Sequence, residues 1–307
     1  MDFKLRYRDF WPNFSPERFL FTKIIQNLIG SQVTLVFDRA VEVDLEIVSV
    51  FLFKSKTTQM YSKIKSFTTE DAKWDYLSRA GRGFKSSYPE NAKRRIWYTG
   101  ENLRAPAGLF DGTIGFDPTS LHSKNIYFPY WMLRLDWGFG KSEFEIMPKP
   151  SEMMEARSPR TRPLQVCSFS NRKETTRENL IKLVENCFNV DKFGAANQNF
   201  KASKLSIMNN YGLQICSEND MYPNYVTEKI PEAWYGRNVP IWKGLDMDKW
   251  FNKEAMYDFS ELSDDEVFER LAKIEEEEVL YKQTLPILNQ MPNLEEISQF
   301  FSQFLFS

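Results

Sequence analysis

After residue 163 the order strand, polar loop, helix occurs twice, and this repeat constrains the fold more than any other feature. LQVCSF (164–169) leads through SNRKETT into RENLIKLVENCF, and YGLQICS (211–217) leads through a polar loop and a second helical stretch to VPIWKG. Strands alternating with helices read as a small doubly wound parallel sheet, whose ligands sit where the strand carboxyl ends meet the next helix. That rule singles out two loops, SNRKETTR and SENDMYPNYVTEK.

The preceding segment MPKPSEMMEARSPRTRP (147–163) is rich in proline and charge and has no apolar period, so an interdomain boundary is expected near residue 155. On that reading residues 1–155 form an N-terminal domain, 156–290 a C-terminal one and 291–307 a tail. A chain of 307 residues is long enough for two cores. The first half offers strands at KLRYR, VTLVF (33–37), VDLEIVSVF (43–51), IWYTG (96–100) and GTIGF (112–116), with a helix over 16–29 capped by Ser15. One long helix is expected over 264–288, its EEEE run a solvated face.

A formal net charge of −2 argues against a nucleic-acid partner. Three cysteines without CxxC spacing give neither a disulfide framework nor a zinc knuckle, and suit a reducing compartment. The scattered charges of MDFKLRYRDFWPNF oppose a signal peptide, and no run reaches the ~20 apolar residues of a membrane span. A cytoplasmic, soluble protein is therefore expected. The tail ISQFFSQFLFS has apolar residues at helical spacing, which suits peripheral membrane contact or packing back on the domains; its lack of a basic face favours packing.

Residues 225–234 taken as a helix place Val226, Ile230, Ala233 and Trp234 on one side and Tyr225, Glu228, Lys229 and Glu232 on the other. Asn224 or Thr227 is the candidate cap, and Pro231 favours the later start. Either choice puts Lys229 near a helix N-terminus, a setting that attracts phosphate. By spacing alone, an ordinary amphipathic helix explains these residues equally well.

The string from Glu218 to Gly244, with EN, YVTEKI, VPI and a glycine in order, resembles the donor-binding signature of the α1,3/α1,4-fucosyltransferases, glycosyltransferase family 10. YTGEN (98–102) with FDGTIGFD (110–117), FWPNF near the start, and CSFSNRKETTRENLIKLVEN (167–186) are similar to further family segments. The resemblance implies an α/β GT-B fold, with two Rossmann-like domains facing a cleft. It further implies an inverting transfer of L-fucose from GDP-β-L-fucose to an oligosaccharide or glycolipid acceptor containing N-acetylglucosamine. In that scheme Glu101 matches the base and Glu228 the carboxylate beside the sugar, while Arg177 and Lys229 face the diphosphate. Ser170, Asn171, Glu218, Asn219, Tyr225, Val226 and Thr227 line the nucleotide-sugar pocket.

Plainer readings stand beside these: Arg177 pairing with Glu174 or Glu178, Glu101 as a loop carboxylate, Ser170 and Asn171 as turn formers, and Glu218 as a structural acid. Asp246-Met247-Asp248 has the pattern by which other glycosyltransferases hold a metal. It follows the second strand–helix unit, so no cofactor and no essential metal are expected. Transfer from another GDP-sugar, an α1,4 linkage, or a non-catalytic glycan-binding module are the rival functions. The absence of an anchor and of an even cysteine set resembles the soluble bacterial members, whose products decorate lipopolysaccharide or capsule.

Overall fold

The computed structural model describes residues 2–11, 13–30, 32–50, 91–101, 105, 109–117, 124–140, 144–171, 174–194, 202–219, 222–245 and 250–306. These form two compact units, residues 1–130, 139–143 and 293–307 in one, residues 131–138 and 144–292 in the other. The division falls earlier than the expected residue 155. Trp131 packs against Phe251 (5.0 Å between ring centroids) and Trp250 (5.9 Å), so the chain joins the second unit before the proline-rich segment begins.

The first unit holds a six-stranded, wholly parallel sheet. Its strands are β1 (Phe3–Arg8), β2 (Val33–Leu35), β3 (Val43–Val48), β4 (Ala92–Tyr98), β5 (Gly112–Gly115) and β6 (Asn125–Tyr127), in the order β2-β1-β3-β4-β5-β6. A parallel sheet covered on both faces has little room for charge, yet Arg6 and Arg8 of β1 are buried. Glu46 of β3 explains this. It stands in register with Arg6 and with Arg95 of β4, and ion-pairs with Arg6 (2.7 Å), Arg8 (2.7 Å) and Arg95 (2.6 Å). Burial alone would push the Glu46 carboxyl upward; the surrounding guanidiniums reverse that and hold it below the usual range.

The expected helix over 16–29 is broken. A 3₁₀ turn at Pro16–Arg18 is separated from α1 (Leu20–Ile29) by extended Phe19, and the Ser15 hydroxyl donates to Glu17 without capping the backbone. The C-terminal tail forms α9 (Glu295–Leu305), which packs on α1, with Phe21 and Phe301 5.4 Å apart, and on β6. Ile297, Phe300, Phe301 and Phe304 are buried there, so the apolar stripe considered for a membrane surface is already covered inside the first unit. Gly112 makes this packing close: a Cβ there would stand 2.6 Å from the Phe304 ring.

The short helices α2 (Tyr130–Leu133) and α3 (Pro150–Met153) lead into the second sheet. Its strands are β7 (Val166–Phe169), β8 (Val190–Phe193), β9 (Leu213–Ile215), β10 (Val239–Trp242) and β11 (Tyr257–Asp258), parallel in the order β11-β10-β9-β7-β8. Between them run α4 (Thr175–Glu185), α5 (Lys204–Met208) and α6 (Lys229–Tyr235), followed by α7 (Asp264–Leu271) and α8 (Glu276–Thr284). Strands β7, β9 and β10 supply Val166, Leu213, Ile215, Val239 and Ile241 to a core closed by Leu180, Ile181 and Val184 of α4.

The single helix expected over 264–288 is two helices. A capping box at Ser263 and Glu266 starts α7, the chain turns at 272–275, and Arg270 of α7 pairs with Glu278 of α8. Among the described residues no helix is long and apolar enough to cross a membrane.

Candidate active site

At the carboxyl ends of β7 and β9, one arginine ties three chain segments together. Arg177, in the first turn of α4, is buried, and its guanidinium donates to the Ser170 hydroxyl (2.8 Å), the Ser217 carbonyl (3.2 and 3.3 Å) and the Asn219 side-chain oxygen (2.6 Å). The helix surface pair considered for it is replaced by this inward fork. Arginine suits the place because its donors are planar and fixed, so one side chain sets the spacing of three oxygens.

Ser170 directly follows β7, its N–H bonded to the Phe193 carbonyl of β8 at 2.8 Å. Gly194 permits that approach. Its φ is +108°, and a Cβ there would lie 2.3 Å from the Ser170 carbonyl and 3.1 Å from the Asn171 side-chain oxygen. Asn171 is exposed beside it.

A second cluster lies where β9 turns into α6. Glu218 is buried. It accepts hydrogen bonds from the Thr227 N–H (2.8 Å) and hydroxyl (2.8 Å), and from Lys229 Nζ (2.6 Å), which also meets the Thr227 oxygen at 2.6 Å. Burial would lower the Lys229 ammonium, but Glu218 and Glu228 outweigh it and raise the group above the usual lysine range, so it stays charged.

The expected helix from residue 225 begins at Lys229, with Glu228 as its N-cap residue. Asn224 takes a left-handed φ of 61°, a conformation asparagine tolerates, and thereby turns the chain before the helix. As a result Tyr225 joins Val226 and Thr227 in the interior, in place of the polar face assigned to it. Ile230, Ala233 and Trp234 are buried as their spacing indicated. Glu232, placed on the exposed face by that spacing, is buried too. Arg134 at 2.5 Å and Lys204 grip its carboxylate, and Lys204 also stands over the Phe169 ring.

Glu228 sits next to this cation group. Burial pushes its carboxyl up, whereas Lys229, Lys204 and Arg134 together pull it further the other way, to about 2. It is therefore a carboxylate at every physiological pH. Arg134, Lys204 and Gly194 escaped the sequence reading. The first two are brought to Glu232 only by folding; KFG at the end of a strand was the legible sign of the third.

Glu101 belongs to the first unit, just past the carboxyl end of β4. Its backbone is fixed by Thr99, whose hydroxyl accepts from the Glu101 N–H (3.1 Å) and donates to the Glu101 carbonyl (2.5 Å). Gly100 lies against the Tyr130 ring, leaving no room for a Cβ. The backbone of the GE pair is thus held in place, and Glu101 is half-buried. Asp246-Met247-Asp248 and His122 lie outside the described residues.

With this geometry in hand, similarity to known proteins takes on structural meaning. Residues 159–285 match the family model "Glycosyltransferase family 10 (fucosyltransferase) C-term", a span that includes Ser170, Arg177, Glu218, Glu228 and Lys229. An alpha-(1,3)-fucosyltransferase FucT of Helicobacter pylori is 27% identical over 195 residues, a match spanning 54% of this chain and 40% of that protein's length. Two solved structures share the fold: an alpha1,3-fucosyltransferase with GDP-fucose (TM-score 0.66, 17% identity, 100% of this chain and 91% of that one) and one with GDP (0.67, 15%, 100% and 91%). The α/β, GT-B fold expected from the sequence is therefore present, and residues 159–285 are similar to the C-terminal part of glycosyltransferase family 10.

Proposed function

We propose that the chain is an inverting α1,3-fucosyltransferase that moves L-fucose from GDP-β-L-fucose to a glycan bearing N-acetylglucosamine. The observation that carries this reading is the position of Arg177 and Lys229. A buried arginine and a largely shielded lysine flank the carboxyl ends of the second sheet, within the stretch that matches the family. The fucosyltransferase names of the relatives, and the GDP-fucose and GDP in two of the solved structures, support the choice of donor.

The chemistry follows from charge. As the anomeric carbon–oxygen bond breaks, the leaving GDP gains negative charge that a fixed cation must meet. A lysine ammonium has three donors; Glu218 and Thr227 take two, which leaves one N–H for a phosphate oxygen. Arg177 spaces Ser170 and Asn219 around the donor and adds its own charge. Glu228, held ionised, steadies the oxocarbenium-like sugar. Glu101 takes the proton of the acceptor hydroxyl as its oxygen attacks the opposite face, giving an α-fucoside and GDP. Here side-chain cations would do the work a metal does elsewhere, and turnover is expected to be unchanged by EDTA.

The test is GDP release from GDP-fucose, with and without N-acetyllactosamine. Release that requires the acceptor supports the proposal. Transfer from GDP-mannose alone sinks the fucose assignment, and GDP-fucose binding without turnover over a panel of acceptors makes the chain a binding module.

A further inference from the structure

At the amino-terminal end of the second sheet, opposite the loops described above, lies a separate cavity of about 430 Å³. Arg157, Arg160, Arg237, Asn209, Trp234 and Tyr235 line it together with Glu152 and Glu155, and of these Arg160, Asn209, Tyr235 and both glutamates are exposed. A fourth arginine, Arg162, is buried close by, near enough for its charge to act on Arg157. Among the described residues no carboxylate pairs with any of these four arginines.

Their partners are neutral. Arg157 donates to the Gln283 carbonyl (3.0 Å) and stacks on Trp234 (3.9 Å to the ring centroid). Arg237 donates to the Ser158 carbonyl (2.7 Å), and Arg162 to the Gly236 carbonyl (2.7 Å) and the Asn209 side chain (3.1 Å). Burial, and then the like charges of Arg237 and Arg162, push the Arg157 guanidinium below its usual range. Arg237 also holds a left-handed φ of 65°, a conformation disfavoured for a long side chain.

Like charges gathered without a paired counter-charge are costly unless an anion completes them. A guanidinium has five N–H donors, so carbonyl bonds that fix its plane still leave donors for an oxyanion. The three lining arginines exceed the two lining carboxylates, and the cavity is within the usual size range for small ligands. We propose that this pocket binds a phosphate-bearing ligand, either a free phosphate or diphosphate or the headgroup of an anionic lipid. It lies at the opposite ends of the strands from the donor loops, so the site does not depend on the transfer reaction.

Arginine labelling with phenylglyoxal, read residue by residue by peptide mass spectrometry on the full chain, tests this directly. Millimolar inorganic pyrophosphate, or vesicles of phosphatidylglycerol, should slow labelling of Arg160 and Arg237 at least fivefold relative to chloride of equal ionic strength. The exposed Arg39 of the first unit should label as before. Arg160→Gln, whose side chain makes no hydrogen bond among the described residues, should weaken protection of Arg237 without altering the circular dichroism. Protection by pyrophosphate alone identifies a soluble phosphate ligand; protection by phosphatidylglycerol vesicles but not phosphatidylcholine vesicles identifies a headgroup. Unchanged labelling in both arms, or equal protection of Arg39, overturns the proposal.

Discussion

Lys229 Nζ lies 2.6 Å from Glu218 Oε2, joining the end of one strand segment to the first turn of the following helix across eleven residues of sequence. Both side chains are shielded, and Thr227 bonds to each. Removing one member of such a pair strands the other charge. We expect Glu218→Ala to lose roughly 3–5 kcal/mol of stability in urea unfolding. Glu218→Gln keeps the shape and should cost less, while still weakening GDP binding because Lys229 is no longer held in place.

Arg177→Lys preserves charge but not the fork. A single ammonium cannot span Ser170, Ser217 and Asn219, so the loops after β7 and β9 lose their common anchor. Calorimetry should show GDP affinity reduced at least tenfold, about 1.4 kcal/mol or more. An unchanged affinity would mean that Arg177 is only structural.

Glu228 gives the molecule a defined acid response. Its carboxyl is depressed in the folded state, to about 2, so its stabilising contribution is complete above the unfolded carboxylate range and is lost as pH falls toward 2. The shift corresponds to roughly 3 kcal/mol. Unfolding free energies measured from pH 6 to pH 2 should therefore fall less steeply in Glu228→Gln than in the parent chain.

Gly194→Ala should damage the site from a distance. The φ of +108° and the 2.3 Å approach to the Ser170 carbonyl leave no place for a methyl group. We expect a loss of at least about 2 kcal/mol and weaker GDP binding, since Ser170 must move with the strand.

Much of this was legible in the sequence, for physical reasons that differ by residue. Strand runs such as VCSF and VPIW announced themselves because strands in a parallel sheet are apolar on both faces. Arg177 and Lys229 were found by resemblance, as were Ser170, Glu218, Asn219 and Thr227, but the bonds that join them were not. Whether Arg177 meets Glu174 or Ser217 is decided by the turn of α4 against β9, which no local pattern encodes. Tyr225 was misplaced because the left-handed turn at Asn224 delays the helix by four residues, and a shift of four residues near a helix start decides which side chains leave solvent. The ion cluster at Glu46 was invisible for a similar reason: Arg6, Glu46 and Arg95 become neighbours only through strand register. The tail's apolar stripe was plain, but only the packing on α1 shows where it goes.

In the proposed transfer the acceptor side rests on Glu101, whose backbone is fixed after β4 by Thr99. Glu101→Gln is expected to bind GDP like the parent chain while losing transfer by a factor of 10² or more, the usual scale for general-base catalysis. Transfer at the parent rate would remove Glu101 from the mechanism.

Proton NMR of the trisaccharide formed from GDP-β-L-fucose and N-acetyllactosamine tests the central claim most directly. An α-linked fucose on O3 of the N-acetylglucosamine is the predicted product. A β-linked fucose, or no fucosylated product while GDP-fucose binds, would contradict it.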